Sequence, residues 1–234
     1  MRLVLAALVL VLAACQAPAT PPAGTAVALR VEQFGGGPLP AGIVTFPDFV
    51  LYGDRTLIVA DRDGPREYHL TEDEFDTLYD RAQSAGLRTA RTFDVQAPDA
   101  STLEIVFGSD TGRAVTRIIA PDSDGGGDAG EIVRAVRLVP DSDLSSPYQR
   151  YQPRRIAVVA GAMSSVPSSA VWPLRPLAEG IAFNAGRCTV YDAAEVDGIR
   201  SETAWTSNGV VYQVRLRPLL PDEPDCTALT GTFR

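Results

Sequence analysis

The sequence predicts an α+β protein in which antiparallel β-hairpins pack with a few short helices. Three observations predict it. Short runs of β-branched and aromatic residues recur along the chain, several are joined in pairs by turn-forming residues, and only a few segments carry apolar residues at helical spacing. The chain is expected to form two lobes, residues 26–145 and 146–234, the second stapled by one disulfide.

Ahead of the first strand, residues 1–14 read as an export signal. Arg2 supplies the positive start, Leu3–Leu12 the apolar run, and small residues lead to Cys15. The run is too short to cross a bilayer as a permanent helix, which needs about 20 residues. Leu12, Ala13, Ala14 and Cys15 fit a lipobox, in which the chain is cut before the cysteine and the sulfur of Cys15 carries the lipid. Each buried lipid methylene contributes about 0.8 kcal/mol, so two or three acyl chains would anchor the protein effectively permanently at the extracytoplasmic face of the membrane. Gln16–Thr25, with three prolines and no large apolar side chain, is expected to be an extended, solvated spacer, so residues 15–25 form a flexible tether.

Val27, Leu29 and Val31 alternate with small or charged residues as a half-buried strand requires, and Gly35–Gly37 stop it. FVLYGDRTLIVA, Phe49–Ala60, reads as a tight hairpin turning at Gly53, Asp54 and Arg55, and Glu67–Leu70 as a further strand. Thr71 and Glu74 form a capping box. Behind it Phe75, Leu78, Tyr79 and Ala82 recur at helical spacing until Gly86 stops the helix. The acidic first turn suits the positive end of the helix dipole. Leu103–Phe107 and Ala114–Ile119 flank GSDTGR as a second hairpin, and a shorter helix is expected over about 129–138.

Pro140–Pro153 is rich in proline, serine and aspartate and reads as the joint between lobes, with a boundary near 145. Beyond it, Ile156–Ala160, Thr189–Tyr191 and Val210–Leu216 read as strands, and Asp192 with Glu195 as the cap of a short helix to about Thr203.

Charge and composition narrow the function. The net charge of −8 becomes −9 once residues 1–14, which hold one arginine and no acid, are removed. That balance argues against nucleic acid and against electrostatic attraction to anionic lipid. With Cys15 lipidated, Cys188 and Cys226 are left in an oxidising compartment and most simply pair. The single histidine, His69, excludes multi-histidine zinc sites, and no nucleophile elbow accompanies it. No lysine is present, so there is no P-loop, and no cofactor is implied. Asp122, Asp124 and Asp128 alternate in a glycine-rich loop and offer oxygens to a hard cation. Gly126 and Val133 stand where an EF-hand needs ligands, however, and a turn in which Asp128 caps the next helix explains the same residues. Tyr148, Arg150, Tyr151, Arg154 and Arg155 form an aromatic and basic stretch suited either to a partner or to sealing the joint. Trp172 and Trp205 are expected in a small core.

In order along the chain, FPDFVLYGDRTLIV, LTEDEFDTLYDRAQSAGL, PYQRYQPRRIAVVA, WPLRPLA and WTSNGVVYQVRLRPLLPDEPDC resemble a group of uncharacterised lipoproteins of actinobacteria and other GC-rich bacteria. The resemblance covers about Val31 to Cys226 and implies no activity. This chain departs from the group at Arg55, where a second turn glycine is usual, and in the short segment Asp61–Tyr68, where those proteins carry a longer proline-rich insert. Residues 28–87, with a strand, a glycine cluster, a hairpin and a capped helix ending in AGL, also resemble in pattern the emfourin-type inhibitors of metalloproteases.

These readings lead to a non-catalytic binding or scaffold lipoprotein of the cell envelope, held to the membrane by its lipid and partnered by an envelope protein. Two alternatives stand beside it: a protease inhibitor using an exposed loop within residues 34–66, and an envelope hydrolase using two carboxylates within acid/base reach in a pocket.

Overall fold

A computed structural model describes residues 18–35, 45–94, 99–121, 127–137, 144–164, 168–183, 185–201 and 203–229. Over these residues the chain is α+β, with fourteen strands in two sheets, two α-helices and one disulfide, Cys188–Cys226. Cys15, Asp122 and Asp124 lie outside the described residues. No helix among the described residues is long and apolar enough to cross a membrane.

The first sheet has eight strands. They are β1 (Val27–Phe34), β2 (Phe49–Tyr52), β3 (Thr56–Val59), β4 (Arg66–His69), β5 (Arg91–Phe93), β6 (Thr102–Ser109), β7 (Gly112–Ile119) and β8 (Tyr148–Arg150). Their spatial order is β5-β7-β6-β1-β2-β3-β4-β8, antiparallel except for β5 beside β7. One face carries Leu29, Val31, Leu51, Leu57, Leu103, Ile105 and Phe107. It packs on Phe75, Leu78, Tyr79 and Ala82 of α1 (Glu72–Ser84) and on Ile132 and Val136 of α2 (Asp128–Val136). The opposite face carries Val27, Val50, Tyr52 and Ile58 and packs on Tyr151 and Leu220 of the second lobe. Cover on both faces explains why FVLY is apolar throughout rather than alternating, and why all four of its residues are buried. A bulge in β1, where Val27 faces Tyr52 but Leu29 faces Leu51, turns both Ala28 and Leu29 toward the helices.

The β2–β3 turn places Arg55 at φ 70°. This is the left-handed region, which costs a residue with a Cβ about 1 kcal/mol. Arg55→Gly is therefore expected to stabilise the protein by about 0.5–1 kcal/mol, read as a rise in urea midpoint without a change in slope. Inside the core, the Thr116 hydroxyl is fully buried without a hydrogen-bond partner among the described residues. Thr116→Val removes an unsatisfied polar atom at nearly constant shape, so thermal melting should show an unchanged or higher midpoint.

Helix α1 begins as its sequence requires. Thr71 Oγ1 accepts from the Glu74 N–H at 3.3 Å, and the Thr71 N–H donates to Glu74 Oε2 at 2.9 Å. Gly86, at φ 80°, ends it. Glu74 has a second task, accepting from the Ser145 N–H at 2.6 Å and from the Ser146 hydroxyl at 2.7 Å, so it ties the connection between lobes to the helix start. Desolvation pushes the Glu74 carboxyl up, but the bonds from Ser146, Thr71 and Ser145 together outweigh it and hold it at about 2. A carboxyl held below its unfolded value stabilises the fold above that value, and the contribution is lost as pH falls through the folded one. Glu74→Gln should thus be less stable than the parent by about 1 kcal/mol at neutral pH. The gap should close between about pH 4.5 and pH 2, as urea titrations at both limits will show.

Two segments lie across the expected boundaries. Tyr148–Arg150, beyond the boundary expected near 145, forms β8 and pairs with β4, so the first sheet extends to residue 150. Residues 18–25, expected as solvated tether, are docked on the first lobe. The Ala19 N–H donates to Gln83 Oε1 at 2.5 Å, Thr20 O accepts from the Asp110 N–H at 3.0 Å and from the Tyr79 hydroxyl at 3.3 Å, and Gly24 O accepts from the Asp54 N–H at 2.8 Å. The chain turns at Gly24, φ 60°, and side chains of α1 together with backbone groups of the hairpin turns satisfy the segment in place of water.

The second sheet orders β10 (Ala170–Val171), β13 (Ala204–Ser207), β14 (Val210–Pro218), β9 (Arg155–Ala162), β12 (Gly186–Asp192) and β11 (Ile181–Phe183). Its central strand β9 is buried on both faces. Ile156, Val158 and Ala160 pack with Trp172, Tyr191 and Val214, while Ala157 and Val159 pack with Phe183, Leu219 and the disulfide. The Cys188 and Cys226 Cα atoms are 6.1 Å apart. Trp172 meets Trp205 edge-on at 5.4 Å, as a small core requires. The capping box of Asp192 and Glu195 forms, yet its helix is a single 3-10 turn, Ala193–Val196, because Gly198 at φ 80° breaks the chain away.

Candidate functional site

The acids that the fold brings together lie between the lobes. Glu223 accepts from both terminal nitrogens of Arg217, from Arg30 Nη2 at 3.0 Å and from the Leu220 N–H at 2.9 Å. Arg30 also reaches Glu32 at 3.4 Å and Asp222 at 3.5 Å, Asp222 accepts from the Tyr52 hydroxyl at 2.6 Å, and the Thr45 hydroxyl donates to Glu32. Arg217 further donates to the Thr45 carbonyl at 3.1 Å and lies over the Phe46 ring. Strand alternation puts Arg30 and Glu32 on the face of β1 away from the helices, while the turn after β14 brings Asp222 and Glu223 to meet them.

Burial works to lower the Arg30 pKa, but Glu223, Glu32 and Asp222 together outweigh it and hold the guanidinium charged. Burial, followed by the Asp222 carboxylate, pushes the Tyr52 hydroxyl well above its usual value. Glu32, Asp222 and Glu223 are thus each held by a guanidinium. Through these ion pairs the cluster serves as a fastener between lobes.

A different place offers room for a ligand. At the end of the first sheet where β1 finishes and β6 starts, Val31, Phe49, Val59 and Leu103 face Val133 and Val136 of α2 across a cavity of about 250 Å³. Its polar lining is Gln33, Asp48 and Arg137. Partial desolvation and then the nearby Glu32 raise the Asp48 carboxyl above its ordinary value. The cavity is a mostly apolar hollow with a few polar groups, the composition of a small-molecule pocket. The β3–β4 turn lies at the same end of the sheet, with Arg62 and Asp63 exposed at its tip and its base held by Arg66 on Asp61 at 2.8 Å.

The sequence-predicted candidates are dispersed. His69 ends β4, exposed, with Nε2 3.1 Å from Glu67. Asp128 does not cap α2, whose N-cap is Gly127; it sits in the first turn and faces Arg91 at 3.5 Å. Among the described residues no group of three or more potential ligands surrounds a metal position. The aromatic and basic stretch divides. Tyr148 is exposed beneath the Arg66 guanidinium, whereas Tyr151 is buried with its hydroxyl donating to Leu219 O at 2.7 Å, and Arg155 donates to the carbonyls of Pro224 and Glu223. Tyr151 therefore seals the joint, and a second cleft of about 410 Å³ borders it beside Arg154 and Leu219.

Sequence reasoning missed Arg30, Glu32, Arg217, Asp222 and Glu223. Their one signal was the distinctive RPLLPDE ending, which brings three of them close in sequence but says nothing of Arg30. No protein-family model, no curated protein and no solved structure matches the chain.

Proposed function

We propose that this is a lipid-anchored, non-catalytic binding protein of the cell envelope, exported by residues 1–14 and held by lipid on Cys15. The observation that supports binding best is the apolar cavity between the first sheet and α2, with Asp48 and Arg137 among its lining groups. The fastening of Glu32, Asp222 and Glu223 by arginine favours this reading over a carboxylate hydrolase. The partner is an envelope component that presents an apolar group flanked by a polar or charged one. The test is affinity capture from the envelope fraction by the body from residue 18 onward, beside a Val133→Phe variant that fills the cavity. A component held by the parent and released by the variant supports the reading, whereas equal capture by both removes the cavity from it.

A protease inhibitor is the second reading, favoured by the braced β3–β4 turn with Arg62 and Asp63 at its tip. Inhibition of a secreted metalloprotease that weakens at least tenfold in Arg62→Ala would move this reading ahead. No inhibition across a panel of such proteases would remove it.

A further inference from the structure

The docked leader fixes which end of the molecule meets the membrane. Resting on the lipoprotein reading, we propose that the sheet end bearing the β2–β3 and β6–β7 turns lies against the bilayer surface, with the cavity end pointing away from it.

The argument begins with reach. A free ten-residue spacer from Gln16 to Thr25 would let the body wander to about 35 Å from the lipid. The chain is instead captured at Ala19 by Gln83 and at Thr20 by Asp110 and Tyr79, so from Cys15 to Ala19 it spans at most about 14 Å. Beyond Thr20 it crosses to the β2–β3 turn, where Gly53 and Asp54 bond it again. That crossing is built in. A Cβ on Gly53 would stand 1.8 Å from the Pro22 carbonyl oxygen, so only glycine lets the leader pass so close.

The strands then act as a ruler. The leader starts at the Ser109 end of β6, and the cavity lies at the Thr102 end, about 23 Å away along the strand. A lipid surface is the occupant of the near end because the anchor itself emerges there. Glu72, 3.9 Å from Arg55 of the β2–β3 turn, and the neighbouring exposed Asp73 stand at this same end, so its contact with the bilayer is set by the anchor and not by attraction to anionic headgroups. The cavity and the Arg62 turn are thereby presented outward, within reach of partners that stand off the membrane.

The test uses the full precursor, matured in a bacterial host and reconstituted in phosphatidylethanolamine–phosphatidylglycerol vesicles that carry a headgroup spin label. Single cysteines at Thr111→Cys, in the β6–β7 turn, and Asp99→Cys, before β6, each carry a fluorophore. The lipid on Cys15 is verified by the mass of the N-terminal peptide. The probe at 111 should be quenched at least threefold more than the probe at 99, and inserting eight Gly/Ser residues after Ala17 should abolish the difference. Lipid present with equal quenching, or with stronger quenching at 99, overturns the orientation and leaves the anchor standing. An N-terminal peptide without lipid overturns the lipoprotein reading and the orientation with it.

Discussion

Glu223→Ala is expected to cost about 3–5 kcal/mol and to loosen one lobe from the other. The carboxylate is 1% exposed and joins Arg217 to Arg30. Its removal leaves two buried guanidiniums short of their counter-charge, and an unpaired buried charge is far more costly than the pair is stabilising. Both tryptophans, Trp172 and Trp205, belong to the second lobe, so fluorescence follows that lobe while circular dichroism follows both. In the parent, urea transitions by the two probes should coincide. In Glu223→Ala they should shift to lower urea and separate. Pairing it with Arg217→Met should recover part of the loss, because an apolar replacement of both partners removes the stranded charge. A double variant no better than the single one would show that Glu223 acts through Arg30 and the Leu220 N–H instead.

Replacing both cysteines, Cys188→Ser with Cys226→Ser, should destabilise the second lobe by about 4 kcal/mol, the chain-entropy value for a loop of this length. The two are 38 residues apart in sequence. The bridge lies against Ala157, Val159 and Leu229, so each substitution also buries a hydroxyl in an apolar setting. Denaturation of the oxidised parent, the reduced parent and the double variant separates the two effects: reduction reads the cross-link, and the further drop in the variant reads the hydroxyls. A reduced parent as stable as the oxidised one would remove the cross-link from the account.

What the sequence made legible was local. Helix α1 could be placed from Thr71, Glu74 and Gly86 because capping box and stop act within a few residues of the elements they bound. The two hairpins of the first sheet were legible because their turns stand between runs of Val, Ile, Leu and Phe. Strands β5, β10 and β11 were not, since two or three residues carry no periodicity and become strands only by lying beside β7, β13 and β12. The fastener was hidden for the same reason. Arg30 reads as the solvent side of a half-buried strand, and its partner Glu223 is 193 residues away. Leader docking was equally invisible, because a proline-rich segment that binds through backbone carbonyls looks the same in sequence as one that binds water. The cavity had no signal of its own, since Val31, Phe49 and Val133 read simply as core.

The strand β8 has a consequence for how the protein can be divided. A fragment cut where composition changes, near 145, would bare the outer rim of β4, leaving a row of unmatched amide and carbonyl groups next to Tyr68. Such a rim is a template for another chain. The first half made alone is therefore a candidate for runaway self-association, and the second half would begin with a strand that has lost its sheet. The halves are woven rather than strung: the first half must stay shielded until at least residue 150 has joined it, and neither half is a module that gene fusion could transplant whole.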